Sequence, residues 1–194
     1  MRRLFFGFGL PEKVGRRLAE ETEKLEGAGA KVRWTPPERM HVTLRFLGET
    51  DDLGAAAAAR LLAPACRGVS ALRLIARGLG AFPEEGPPRV VWVGVAGEDA
   101  ASEAALHALR DRLDEAARRE GFRPEKGGFT PHVTLGRARA DEDAGGLLRK
   151  KLGPGVRREF AHFRVDEAAL FESSEIYGEK TYVPLATARL GARG

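Results

Sequence analysis

The chain has 194 residues, a length for one large domain or two small lobes, and enough to bury a core without disulfides or metal. Hydrophobic residues make up 43% and charged residues 31%, which excludes disorder, and no apolar stretch is long enough to span a membrane. Lys and Arg number 32 against 28 Asp and Glu, and the net charge of +4 permits a phosphate or nucleic-acid partner without establishing one.

Met1-Arg2-Arg3 followed by the apolar run Leu4 to Leu10 imitates a signal peptide. Pro11-Glu12-Lys13 ends that run and no small-residue cleavage site follows, so it reads as the first strand of a cytoplasmic protein. Pro11 opens a helix with Val14, Leu18, Thr22 and Leu25 at helical spacing up to Gly27. Val32 to Trp34 is a short strand before the turn at Pro36-Pro37. His41 to Leu47 alternates and predicts a strand ending at Gly48. The Ala-rich stretch Leu53 to Leu62 predicts a helix stopped near Pro64. Leu72 to Leu79 and Val90 to Val95 are strand-like, separated by a Gly/Pro loop at Pro83 to Pro88. Ala101 to Arg119 is the clearest helix, with Leu106, Leu109 and Leu113 on one face. Phe129 to Arg137 predicts a strand, Ala144 to Leu152 a short helix or loop, and Phe160 to Phe171 and Thr181 to Leu190 the final strands.

Two compositional features stand out. The chain contains no Asn and no Gln, and Arg supplies 25 of the 32 positive charges. Side-chain amides deamidate when hot, so this composition predicts a thermophilic source, and a GC-rich genome, which favours Ala, Arg, Gly and Pro codons, accounts for the same bias. A planar guanidinium also grips phosphate through two oxygens at once. Cys66 is alone, which excludes an internal disulfide and a cysteine-based zinc site.

The chain repeats itself. Each half runs strand, helix, an aromatic with proline, and then His-Val-Thr-Leu, at His41-Val42-Thr43-Leu44 and again 91 residues later at His132-Val133-Thr134-Leu135. Given one copy, a chance second copy has odds of roughly one in a thousand. The pattern predicts an α+β fold of two related lobes, with mainly antiparallel sheets.

Strand geometry says what the repeat offers. Side chains two apart share a face, so His41 and Thr43 point one way while Val42 and Leu44 enter the core, and His132 and Thr134 repeat the arrangement. A pseudo-twofold axis would bring two imidazoles and two hydroxyls together across a cleft. One neutral imidazole can take a proton from a nucleophile while the other, protonated, gives one to the leaving oxygen. Threonine hydroxyls can bond nonbridging phosphate oxygens. Arg137 could stabilise their charge, but its parity places it on the Val133 face. It needs a twist or bulge at Gly136 to reach the cleft.

Other features carry less. His107 on its helix and His162 on its strand lack a partner motif and read as structural or solvated. No His-Glu-x-x-His or Cys cluster indicates a metal. Gly7-Phe8-Gly9 lacks the third glycine of a dinucleotide loop. Ser173-Ser174 lacks a nucleophile-elbow context. Phe46, Trp34 and Trp92 read as core aromatics.

The paired His-x-Thr-hydrophobic motifs resemble those of the 2H phosphoesterase superfamily. The flanking residues resemble its bacterial and archaeal branch, the RNA 2′,3′-cyclic phosphodiesterases, also named 2′-5′ RNA ligases. The similarity covers Arg3 to Gly7, His41 to Gly48, Phe129 to Arg137 and Leu170 to Tyr182. It implies one bilobal α+β domain over residues 1–194, with two antiparallel sheets flanking a cleft and helices outside. It implies metal-independent hydrolysis of a terminal 2′,3′-cyclic phosphate to a 2′-phosphate, with reversible ligation and no cofactor. By motif position His41 and His132 carry over as catalytic, Thr43, Thr134 and Arg137 as phosphate ligands, and Phe46 as a neighbour of the terminal base. His132 is then the base on water and His41 the acid towards the ribose O3′. The expected partner is an RNA or nucleotide with a cyclic phosphate end, bound by a monomer away from membranes.

Other readings stay open. The motifs touch only phosphate, so cleavage of 2′-5′ linkages or of a cyclic phosphate on ADP-ribose fits them equally. Loops at Ala81 to Arg89 and Arg139 to Lys151 would choose among these, and the basic run Arg149-Lys150-Lys151 is either a solvated face or an RNA contact. A noncatalytic RNA-binding module would keep the cleft without turnover.

Overall fold

The computed structural model describes residues 1–26, 32–125, 127–138, 145–176 and 179–191. Among them lie nine strands and four α-helices: β1 (Arg2–Gly9), α1 (Glu12–Leu25), β2 (Val32–Trp34), β3 (His41–Thr50), α2 (Asp52–Cys66), β4 (Leu72–Phe82), β5 (Val90–Gly97), α3 (Ala100–Arg119), β6 (His132–Ala138), α4 (Gly145–Leu152), β7 (Glu159–Val165), β8 (Glu167–Ile176) and β9 (Glu179–Arg189). The fold is α+β and every strand pairing is antiparallel.

The strands form one hydrogen-bonded sheet in the order β7-β4-β5-β6-β3-β1-β8-β9, with β2 added to β6. Where two sheets were expected, β3 and β6 join them through the pair Val42↔Val133. Beyond that pair the facing edges find other partners. Trp34 of β2 pairs with Gly136, and the Phe46 amide donates to Glu125 Oε1 at 3.2 Å.

Alternation sends Val42, Leu44, Val133 and Leu135 to the helix-covered face, where they join one core with Leu106, Leu109 and Leu113 of α3. All three α3 leucines are fully buried, each stabilising the fold by about 2 kcal/mol. Both α2 and α3 begin with an aspartate cap: Asp51 accepts from the Gly54 amide and Asp99 from the Ser102 amide, each at 2.7 Å.

A β-bulge interrupts each motif strand. Opposite β1 the register steps from Gly7↔Thr43 to Phe6↔Arg45, skipping Leu44. Opposite β5 it steps from Trp92↔Thr134 to Val91↔Gly136, skipping Leu135. The extra residue resets the alternation. Leu44 and Arg45 are therefore both buried, and Phe46 turns to the opposite face. Leu135 and Gly136 are both buried, and Arg137 turns outward. The bulge that Arg137 needed is present.

Several boundaries differ from those predicted. β3 runs through Gly48, which adopts a positive φ of 80°, to Thr50. α2 continues past Pro64, which sits in its last turn, where a missing N–H costs one bond. β6 starts at His132 rather than Phe129. The predicted strand Phe160 to Phe171 is two strands that break at Asp166, one pairing with β4 and the other with β1. Residues 27, 139–144 and their share of the predicted helix ends and loop lie outside the described residues. Among the described residues no helix is long and apolar enough to cross a membrane.

Candidate active site

His41 and His132 open β3 and β6, on the sheet face away from the helices. A cleft there is lined by His41, Thr43, Phe46, His132, Thr134 and Arg137. All six residues singled out in the sequence meet at one place. Antiparallel counting from Val42↔Val133 sets His41 across from Thr134 and Thr43 across from His132.

Both imidazoles are held the same way. His41 Nδ1 lies 2.8 Å from the Arg39 carbonyl oxygen, and His132 Nδ1 lies 2.7 Å from that of Thr130. A carbonyl only accepts, so each Nδ1 carries the proton and donates it. That fixes the tautomer and leaves each Nε2 as the group available for proton transfer. Aromatic rings set the orientations. His41 packs against Phe5 at 4.9 Å and edge-on to Tyr182 at 4.4 Å, while His132 packs edge-on to Phe82 at 5.3 Å.

Burial lowers the proton affinity of both histidines, because a cation loses hydration there. The Arg39 and Thr130 carbonyls oppose this, and the positive Arg137 adds to it at both. The charge of His132 also pushes His41 down, so the pair resists taking two protons. The state favoured near neutrality therefore always contains a neutral base.

Phe46 was expected in the core by its parity. It is instead 48% exposed at the cleft, because the bulge at Leu44 turns it outward. Trp34 packs on the core over Gly136, where an added Cβ would lie 2.6 Å from its ring. Trp92, also expected in the core, lies on the face opposite buried Val91 and Val93, its ring tilted against Phe82 with 5.1 Å between centroids. His107 bonds Glu103 and His162 bonds Glu98, both away from the cleft.

The sequence reading missed other lining residues: Phe5, Phe82, Arg3, Lys180 and Tyr182. Phe5 reads as one more core residue of an apolar run. It is buried, but under His41, Phe46, Phe171 and Tyr182 rather than in the helix-covered core. Its odd position among Leu4, Phe6 and Phe8 was the available signal. Among the described residues no group of three or more His, Cys, Asp or Glu could hold a metal ion.

Residues 14–175 match the family model described as the 2′-5′ RNA ligase superfamily. The chain belongs to this superfamily. Within the 2′-5′ RNA ligase superfamily it is similar to the RNA 2′,3′-cyclic phosphodiesterase of Aeropyrum pernix, 38% identical over 133 residues, which cover 69% of this chain and 72% of the relative. The protein of the same name from Thermotoga maritima is 30% identical over 176 residues, 90% of this chain and 91% of the relative. The thermophilic composition fits such sources. Among solved structures, E. coli LigT complexed with NADP+ is 27% identical with a TM-score of 0.72, covering 98% of each chain. TT0787 of Thermus thermophilus is 26% identical with a TM-score of 0.73, covering 99% of this chain and 100% of that one.

Proposed function

We propose that the chain is an RNA 2′,3′-cyclic phosphodiesterase that opens a terminal cyclic phosphate to a 2′-phosphate. The observation that carries this reading is the pair of imidazoles, each donating Nδ1–H to the carbonyl two residues upstream and keeping Nε2 for the substrate. The names of the relatives from Aeropyrum pernix and Thermotoga maritima support it.

His132 Nε2 takes a proton from water as the water oxygen bonds to phosphorus. The bond from phosphorus to O3′ breaks, and His41 Nε2 gives O3′ its proton. Thr43 and Thr134 donate to the nonbridging oxygens, and the Arg137 guanidinium stabilises the charge that gathers on them. Phe46 offers an exposed ring to the terminal base. Ligation follows the same path with an RNA 5′-hydroxyl in place of water, and its reversal, in which O3′ attacks and O5′ leaves, exchanges the roles of the histidines.

The same reading takes residues 1–194 as one duplicated domain of two lobes. In its support, the motif strands β3 and β6 lie side by side at the centre of the order, flanked by β1 and β5, the strands that precede the helix in each half of the repeat. The bulges at Leu44 and Leu135 occupy matching places in the repeat, as do the Arg39 and Thr130 carbonyls.

The test is incubation in EDTA with a short RNA ending in a 2′,3′-cyclic phosphate, followed by identification of the new end. A 2′-phosphate is expected, lost when His41 and His132 are both replaced by Ala. A 3′-phosphate would reverse the leaving group, and an intact cyclic end would overturn the assignment.

A further inference from the structure

We infer that the recess beyond His132, lined by Phe46, Phe129, Gly127 and Gly128, is the binding site for the acceptor in ligation, the ribonucleoside whose 5′-hydroxyl attacks phosphorus. This rests on the cyclic phosphodiesterase reading above and on its choice of His132 as the base.

The strand register sets the direction of this recess. Val42↔Val133 places two rungs on the cleft face, His41 with Thr134 and Thr43 with His132. From the second rung β3 runs on from Thr43 to Phe46, away from His41. The chain ahead of β6 runs back from His132 to Phe129, away from Thr134. The recess opens between these two departing segments, which the bond from the Phe46 amide to Glu125 ties together. It shares Thr43, Phe46 and His132 with the cleft, and neither His41 nor Thr134 lines it. The direction from His41 to His132 therefore continues towards it.

In a displacement at phosphorus the entering and leaving oxygens stand roughly in line. With His41 at the leaving O3′, the entering oxygen stands at His132, and whatever that oxygen carries extends into the recess. Water carries only hydrogen. A 5′-hydroxyl carries a ribose and a base. His132 Nε2 takes the hydroxyl proton as O5′ bonds to phosphorus. The bond from phosphorus to O3′ breaks, His41 Nε2 gives O3′ its proton, and a 2′-5′ linkage results.

The walls suit a flat base. Phe46 is half-exposed where recess and cleft meet, and it borders both, the donor's terminal base on one side and the acceptor on the other. Phe129 is a second ring, held by the Arg110 guanidinium 5.6 Å above its centre and by His107 edge-on at 5.4 Å. Gly127 and Gly128 bring backbone without side chains, and a Cβ on either would meet nothing within 4 Å, so the space beside them is open. The recess holds about 470 Å³, its open mouth included, within the range of small-molecule sites.

The test uses as donor a short RNA with a 5′-phosphate and a 2′,3′-cyclic end, which cannot serve as its own acceptor. Adenosine and ethanol are compared as acceptors on the unmodified protein, and the hydrolysis and transfer products are measured separately. Stacking of a base on an aromatic ring is worth about tenfold or more, so adenosine should be the better acceptor per mole by about that factor. Gly128 lines the recess and not the cleft, so Gly128→Leu should erase the advantage of adenosine and leave hydrolysis unchanged. Phe129→Leu keeps an apolar side chain, removes the ring and should shrink the same advantage. Adenosine no better than ethanol, or an advantage that survives both substitutions, would overturn the acceptor site while leaving the hydrolase intact. Hydrolysis that falls in step with transfer in Gly128→Leu would overturn it too, and give the recess to the donor's own base. If no cyclic phosphate opens, the functional reading fails instead, and calorimetric binding of adenosine decides the recess alone. About tenfold weaker binding to Gly128→Leu sustains a nucleoside site there, and equal binding removes it.

Discussion

Val42 of β3 pairs with Val133 of β6, and this pair joins the two motif strands at the centre of the sheet. Each valine stands between the histidine and the threonine of its own motif. Both are fully buried against the core. The pair therefore sets how the two imidazoles face each other, although neither valine touches the cleft.

Val42→Ala and Val133→Ala should each destabilise the fold by about 2 kcal/mol through lost burial and the cavity left behind. Because the side chains are cross-strand neighbours, the double variant should depart from the sum of the singles by about 0.5 kcal/mol or more. Denaturant unfolding measures this. kcat should fall in both singles, since the histidines lose their common spacer. Strict additivity with unchanged kcat would show that the pair does not align the site.

Arg45 is a different kind of support. It follows the bulged Leu44 into the interior and is 1% exposed. Its guanidinium bonds Asp114 of α3 and the carbonyls of Phe46 and Arg123. A buried charge so fully bonded is costly to orphan. Asp114→Asn leaves Arg45 only the more distant carboxylate of Glu125, 3.9 Å away, and should cost about 3 kcal/mol, seen as a lower thermal midpoint. Arg45→Met removes a charge but leaves Asp114 its bond to Arg118 at 2.8 Å, so it should cost less. Both variants loosen the carbonyl of Phe46. KM for RNA should therefore rise more than kcat falls, a split that general destabilisation would not produce.

How much of this was legible in the sequence follows from the range of each interaction. The repeat, the parity of His41 with Thr43 and of His132 with Thr134, and the apolar stripe of α3 are local patterns, and they located the site. The bulges are not local. Leu44 and Leu135 are skipped because of how β1 and β5 lie alongside them, and no residue within either motif announces it. Phe46 was therefore misread as core, and Arg137 was left conditional. The break at Asp166 was missed for the same reason: β7 and β8 are both apolar, and only their partners on opposite sides of the sheet separate them. Lys180 and Tyr182 come from a far edge of the chain and carry no motif.

The glycine of Gly7-Phe8-Gly9 has a structural role in place of a nucleotide-binding one. A Cβ built on Gly7 would lie 2.3 Å from the carbonyl oxygen of Val42. The contact is backbone, which cannot swing aside. Gly7→Ala should force β1 and β3 apart next to Thr43 and cost about 1–3 kcal/mol. Gly9→Ala, where an added Cβ meets nothing within 4 Å, should be nearly neutral and serves as the control. Equal thermal midpoints for the two variants would contradict this close approach.

Arg137 makes the most exposed link between electrostatics and rate. Its charge lowers the proton affinity of His41 and of His132, adding to the effect of burial on each. Catalysis needs one of these groups protonated and the other neutral. kcat/KM, which reports the free protein, should therefore be bell-shaped with its optimum on the acid side of the ordinary histidine value of 6.5. Bound substrate brings negative charge beside both rings and raises them, so the kcat optimum should lie at higher pH than that of kcat/KM. Arg137→Met removes one lowering influence from both histidines. Both limbs of the kcat/KM profile should then move towards alkaline pH. The maximum should drop by about 10²–10³-fold, because a donor to the developing oxyanion is gone. A profile from about pH 4 to 10 reads both effects. Lower rate with no movement of either limb would show that Arg137 serves the phosphate but is too far from the imidazoles to set their charge. Moved limbs at undiminished rate would show the reverse, with Thr43 and Thr134 alone holding the oxygens.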